Sequence, residues 1–170
     1  NQAEPWTVTL VDTGEGSMTG GRLKRVRDYL DDETFCMTYG DGVSDVDIPA
    51  SIEFHKKNQA LCTLTAVQPP GRFGAFTLSG SDAKVSHFHE KPVGDGAWIN
   101  GGFFVLRQEI FNYIEPGDEL VERPFQRLIE ERRLSVYRHT GFWRAMDTFK
   151  DKITLDRMEA QGKCPWMVWK

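Results

Sequence analysis

Asp41 is the carboxylate whose neighbours best suit it to chemistry, in the run Tyr39-Gly40-Asp41-Gly42. An apolar stretch from Thr34 to Tyr39 delivers it at a strand end, and the flanking glycines let a bulky ligand approach the backbone. A carboxylate so placed suits Mg²⁺, which takes one or two protein carboxylates, several waters and substrate phosphates. A tight turn with a solvated aspartate would use the same residues. Asp147, in Phe142-Trp143-Arg144-Ala145-Met146-Asp147-Thr148, stands just before a helical pattern. It is either a helix N-cap or a second metal ligand. Asp45 and Asp47 form a DxD pattern, but Pro49 marks a helix start and favours turn and cap roles for them.

Further along, His89-Glu90-Lys91-Pro92 sets an acceptor and a cation side by side at a strand end. Neighbours on a strand face opposite sides, so Glu90 and Lys91 can address two parts of one ligand. Glu90 suits sugar hydroxyls and Lys91 a phosphate; an ion-rich exposed turn is the plain alternative. His87 and His89 share a strand face but lack a third ligand, so they read as surface or packing residues. Trp98-Ile99-Asn100-Gly101-Gly102-Phe103-Phe104 puts glycines inside a strand, where they weaken it. Either something lies close against that backbone, with Asn100 free to bond a ligand, or the strand bulges. Gly71-Arg72-Phe73-Gly74 is a ligand-hugging loop or a simple turn. Thr19-Gly20-Gly21 opens a helix whose first N–H groups suit an anion, a nucleobase edge, or capping alone. No Gly-x-Ser-x-Gly elbow, Walker loop or HExxH motif occurs, which leaves serine hydrolase, P-loop NTPase and zincin readings without support.

The elements that must hold these residues follow from periodicity. Alternation predicts a strand over Thr7 to Val11. Leu23, Val26 and Leu30 lie at helical spacing after Thr19, with Arg22, Lys24, Arg25 and Arg27 on the wet side. Strands are predicted at Thr34 to Tyr39, Leu61 to Val67, Ala97 to Leu106 and Leu134 to His139, with a hairpin around Ser79-Gly80-Ser81-Asp82. Helices are predicted after Asp47-Ile48-Pro49, from Glu109 to Ile114, around Phe125 to Arg132 and from Thr148 to Gln161. Strands and helices alternate and then mix with hairpin pieces, an α/β pattern with a largely parallel sheet. Ligands in such sheets sit beyond the carboxyl ends of the strands.

The chain has 170 residues, a net charge of −4 and a hydrophobic fraction of 39%. That suits one packed unit and not a general binder of nucleic acid or anionic membrane, which would be basic. The 3 cysteines form no CxxC pair, so neither a disulfide framework nor a zinc ribbon is expected, and a reducing cytoplasm is the simplest setting. No apolar run approaches the ~20 residues of a membrane span.

Taken in order, the runs Thr19-Gly20-Gly21-Arg22, Tyr39-Gly40-Asp41-Gly42, Gly71-Arg72-Phe73-Gly74-Ala75, Glu90-Lys91-Pro92, Ile99-Asn100-Gly101-Gly102-Phe103 and Phe142-Trp143 to Met146-Asp147-Thr148 resemble the sugar-phosphate nucleotidyltransferases. The similarity runs nearly end to end, through Pro165-Trp166, and is nearest to the members that transfer a cytidylyl group. The resemblance implies a Rossmann-like nucleotide-sugar transferase fold, a mixed, mostly parallel sheet with flanking helices. It implies a reaction of CTP with α-D-glucose 1-phosphate giving CDP-glucose and pyrophosphate, with Mg²⁺, for surface-polysaccharide pathways; the alternatives are thymidylyl or uridylyl transfer within the same family, or a non-catalytic module that binds sugar phosphate. Matched position by position, Asp41 and Asp147 fall on the two metal-binding aspartates and Glu90 on the glutamate holding sugar hydroxyls. Lys91 falls on the lysine at the sugar phosphate. Gly74 and Asn100 fall on the sugar-contacting loop and strand, and Thr19, Gly20, Gly21 and Arg22 lie beside the nucleobase.

One departure stands out. The family's Gly-Gly-x-Gly-Thr-Arg loop and its following Lys-Pro do not occur in the 170 residues. The chain is therefore expected to be the C-terminal portion of a single nucleotidyltransferase domain, residues 1–170, lacking the N-terminal part of the sheet and inactive alone. Asn1 reads as a cut start. Trp166 and Trp169 near the end point to a contact surface, and a homo-oligomer is expected of the full-length protein, with small-molecule substrates and neither nucleic acid nor membrane as partner.

Overall fold

The computed structural model describes residues 6–30, 33–69 and 97–169, together with the backbone of 75–79 and 84–89. Along the chain lie α1 (Thr19–Arg25), β1 (Thr34–Thr38), β2 (Gly42–Ser44), α2 (Ile48–Asn58), β3 (Cys62–Val67), β4 (Ala75–Ser79) and β5 (Lys84–His89). They are followed by β6 (Ile99–Arg107), α3 (Arg123–Glu130), β7 (Leu134–Arg138), β8 (Trp143–Ala145) and α4 (Phe149–Ala160). The main sheet has the order β1-β6-β3-β7. β6 pairs antiparallel with both β1 and β3, whereas β3 and β7 are parallel. Three strands therefore run one way and β6 alone runs against them, the mixed, mostly parallel α/β arrangement that the alternating pattern predicts. β4 and β5 form the expected antiparallel hairpin.

Side-chain alternation divides the packing between the two faces of this sheet. Cys62, Phe104 and Leu106 point to one face and join Leu23 of α1, Ile110, Ile114 and Leu120 of the intervening loop, and Phe125 and Leu128 of α3 in one buried cluster. On the other face, Thr63 meets His55 of α2, and Phe54 packs edge-on against Tyr137 of β7. Burial on both faces explains why β3 is a near-continuous buried run. α2 starts as its sequence predicts: Asp47 Oδ1 accepts the Ala50 N–H at 2.8 Å, and a proline occupies the first turn.

Two expectations are corrected. Thr7 to Val11 is not a strand. Alternation permits a strand, but a strand also needs an edge to pair with, and here Trp6, Val8 and Leu10 are exposed, Leu10 to 93%. The helix expected over Glu109 to Ile114 is a 3₁₀ turn at Gln108–Asn112. Its apolar residues Ile110, Phe111, Tyr113 and Ile114 are all buried, a pattern too short and too uniformly apolar to show a helical face. Among the described residues, no helix is long and apolar enough to cross a membrane.

The glycines of β6 mark a bulge. Leu64 stands opposite Phe104, but Ala66 stands opposite Asn100, so Thr65 alone spans Gly101 to Phe103. Gly102 adopts φ +79°, and a Cβ there would lie 2.9 Å from Tyr39 Cδ2. The object close against this backbone is thus the Tyr39 ring. Gly102→Ala is expected to cost about 1–3 kcal/mol in urea unfolding, because it forces a left-handed conformation and displaces Tyr39. Gly40→Ala, with nothing within 4 Å of its Cβ position, is expected to stay within about 0.5 kcal/mol of the parent.

His55 gives the core a pH dependence. It is fully buried, its Nδ1 lies 2.8 Å from Thr63 Oγ1, and among the described residues its Nε2 has no partner. Burial first, and the Arg107 charge second, lower its pKa from 6.5 to about 4. The unfolded chain therefore takes up this proton first as pH falls. Stability from neutral His55 is complete above pH 6.5 and is lost on descending toward pH 4, at about 1.4 kcal/mol per unit. Denaturant titrations of His55→Asn should show a shallower loss across this window than the parent, whatever the variant's stability at pH 7.

Candidate active site

The two aspartates singled out by the sequence meet through a ladder three residues long. β2 and β8 pair antiparallel, with Gly42 opposite Ala145 and Ser44 opposite Trp143. Asp41 precedes β2, Asp147 follows β8, and the Met146 N–H donates to the Asp41 carbonyl at 2.8 Å. Both residues line one open cleft of about 200 Å³, together with Tyr39, Asn100, Gly101, Gly102 and Trp143. Capping is not the task of Asp147: Thr148 caps α4, its Oγ1 accepting the Asp151 N–H in a complete capping box. The DxD pattern is structural. Asp47 caps α2, and Asp45 Oδ1 lies 2.9 Å from His139 Nε2.

Three contacts hold the small ladder in place. The Trp143 indole N–H donates to the Gly101 carbonyl at 2.8 Å, at the bulge where β3 gives that residue no register partner. The Ser44 hydroxyl donates to the Phe142 carbonyl at 2.8 Å. His139 Nε2 lies 3.1 Å from the same carbonyl and 3.2 Å from Ser44 Oγ. Asp45 Oδ1 approaches that nitrogen closely but without hydrogen-bond alignment. Serine and aspartate therefore compete for one imidazole nitrogen, so the trio is a structural clasp and not the relay of a hydrolase, in which they bond opposite nitrogens. Trp166 packs over Phe142 at 5.5 Å between ring centroids and covers the clasp from the C-terminal side.

Across the cleft, Asn100 Oδ1 accepts the Gly102 N–H at 2.9 Å, and Tyr39 N–H donates to the Gly102 carbonyl at 3.2 Å. Partial burial raises the Tyr39 pKa most strongly, a hydrogen bond with the Asn100 side chain opposes this, and the charges of Glu119 and Asp41 raise it further. The phenol thus stays protonated at neutral pH as a neutral donor beside the carboxylates. No lysine or arginine is among the lining residues described.

The donor set fits a hard, oxygen-seeking divalent cation. Asp41 and Asp147 supply two carboxylates without imidazole or thiolate, on a cleft open enough for waters and a ligand. Among the described residues no group of three or more metal-ligating side chains occurs, so an all-protein cage of the calcium or zinc kind is absent there.

Thr19, Gly20, Gly21 and Arg22 do not line this cleft. The Thr19 hydroxyl donates to Glu119 and accepts the Leu120 N–H, and Gly20 N–H donates to the Asp118 carbonyl at 3.1 Å. Arg22 bonds Thr13 and Glu15. Glu119, which accepts the Thr19 hydroxyl, is near enough for its charge to raise the Tyr39 pKa. Gly74, Glu90 and Lys91 lie outside the described residues. Sequence reasoning overlooked Tyr39, Trp143 and the Asp118 carboxylate. Asp118 accepts the Glu115 N–H and the Arg123 guanidinium, which hold it below the usual carboxylate range and fix the loop that receives α1. The aromatic residues beside the motif aspartates were the available signal.

Comparison with known proteins gives the family. Residues 6–156 match the nucleotidyl transferase family. Glucose-1-phosphate cytidylyltransferase of Salmonella typhi is 51% identical over 99% of this chain. A Bacillus subtilis protein named "Probable glucose-1-phosphate cytidylyltransferase" is 39% identical over 99% of this chain. The chain spans 65% and 66% of the lengths of these two relatives. A solved structure of UDP-glucose pyrophosphorylase with UDP-glucose superposes on 88% of this chain and 64% of its own, with TM-score 0.61 at 14% identity, and so shares the fold. The chain belongs to the nucleotidyl transferase family.

Proposed function

We propose that the protein transfers a cytidylyl group from CTP to α-D-glucose 1-phosphate, releasing pyrophosphate and CDP-glucose. The observation that carries this reading is the meeting of Asp41 and Asp147 across the β2–β8 ladder, facing Asn100 on β6. The 51% identity with the Salmonella typhi relative over nearly the whole chain supports the choice of nucleotide and sugar. In the reaction an oxygen of the sugar phosphate forms a bond to the α-phosphorus of the nucleotide, and the bond to the β-phosphate breaks. Catalysis of such a step is mainly positioning and charge stabilisation.

In this reading Asp41 and Asp147 hold Mg²⁺. When bound, the cation neutralises phosphate oxygens that the two carboxylates would otherwise repel. Asn100 and Gly74 face the sugar, Glu90 takes its hydroxyls and Lys91 its phosphate. The Thr19-Gly20-Gly21-Arg22 segment stands beside the base, with Glu119 linking it to the cleft. The rest of the triphosphate needs donors of the kind a Gly-Gly-x-Gly-Thr-Arg loop supplies, so the 170 residues alone should turn over little. Surface-polysaccharide synthesis in the cytoplasm is the proposed setting.

The test is pyrophosphate release with glucose 1-phosphate and a panel of nucleoside triphosphates. The 170 residues alone should give negligible release, and a form in which a Gly-Gly-x-Gly-Thr-Arg segment precedes Asn1 should prefer CTP. In that form Asp41→Asn and Asp147→Asn should each lower kcat by about 10²–10³, the scale of losing a charge-stabilising group. Preference for dTTP or UTP would replace the nucleotide assignment by thymidylyl or uridylyl transfer. Full activity in both variants would remove the metal assignment. Release by the 170 residues alone would contradict the need for the loop.

A further inference from the structure

Tyr39 has no role in the function proposed above, yet its position in the cleft is closely determined. Its N–H is bonded to the Gly102 carbonyl at 3.2 Å. Its ring lies against the space that Gly102 leaves empty and meets Phe104 edge-on at 5.6 Å between centroids. Backbone, bulge and core thus fix the ring, and the residue lines the cleft beside Asp41 and Asn100. Asn100 spends Oδ1 on the Gly102 N–H at 2.9 Å, which turns its amide nitrogen toward other acceptors.

We propose that the Tyr39 hydroxyl is a specificity-determining donor to one hydroxyl oxygen of the bound sugar 1-phosphate, with its ring held in position by the Gly102 bulge and Phe104. This rests on the sugar-phosphate reading and assigns to it a residue. A sugar hydroxyl suits a neutral phenol better than a phosphate oxygen, because no lysine or arginine is among the described lining residues to hold an anion beside it. A neutral donor matches a neutral acceptor. It also discriminates, because a ligand lacking the hydroxyl leaves the phenol unpaired.

Tyr39→Phe keeps the ring and removes only the hydroxyl. The experiment is calorimetric binding of glucose 1-phosphate and its monodeoxy analogues to the protein in the presence of Mg²⁺, with thermal melting as control. The variant should melt as the parent does and bind glucose 1-phosphate about tenfold more weakly. One deoxy analogue should bind parent and variant equally, while the others keep the full difference. A merely structural role would weaken every analogue alike, and that result overturns the proposal, as does unchanged binding of glucose 1-phosphate. If the parent binds no glucose 1-phosphate, the sugar-phosphate reading falls, and this assignment with it.

Discussion

The β2–β8 ladder is the contact on which the candidate site depends, and by itself it is a weak one. It pairs only Gly42 to Ser44 with Trp143 to Ala145, and a two-stranded ribbon of that length is not stable alone in water. It also joins distant parts of the chain, so loop-closure entropy opposes it. Its persistence comes from what surrounds it. The Trp143 indole reaches the Gly101 carbonyl, the Ser44 hydroxyl reaches the Phe142 carbonyl, and Trp166 covers Phe142. The Trp143 bond ties the ladder to the main sheet, Trp166 ties it to the tail, the Ser44 bond braces its two strands, and none uses Asp41 or Asp147. Site geometry and site chemistry are thus carried by different residues.

The bulge in β6 is the counterpart on the sheet side. Skipping two residues of pairing opposite Thr65 leaves the Gly101 carbonyl without a strand partner. That vacancy in the ladder is where the Trp143 N–H bonds, while Tyr39 fills the space beside Gly102. A side chain at Gly102 would collide with the Tyr39 ring, and one at Gly101 would crowd Thr65 and Val67 of β3. The paired glycines therefore serve internal packing first. Ligand approach follows from the cleft that this packing leaves between Asn100 and the two aspartates.

Much of the architecture was legible because it is local. Asp47 and Pro49 announce α2, and the apolar runs announce β1, β3 and β6, each with a mechanism that works within a few residues. Asp41 could be read as a strand-end carboxylate because Thr34 to Tyr39 precedes it. The residues left Asp147 between an N-cap and a second metal ligand, and only the family resemblance singled out its pairing with Asp41, since strands of three residues carry no periodicity to detect. Thr7 to Val11 shows the opposite failure. Its alternation is genuine, but pairing is a property of a neighbour, and the segment stays outside the sheet. The His139 clasp was hidden for the same reason, because nothing in Ser44-Asp45 names a partner so far along the chain.

The central claim is that one divalent cation is shared by Asp41 and Asp147. The most direct measurement is anomalous diffraction from crystals of this protein grown or soaked with Mn²⁺, an oxygen-seeking stand-in for Mg²⁺. The account predicts a single anomalous peak in the cleft, within coordination distance of carboxylate oxygens from both aspartates. A peak on Asp45 and His139, or a well-soaked crystal with none in the cleft, would contradict it.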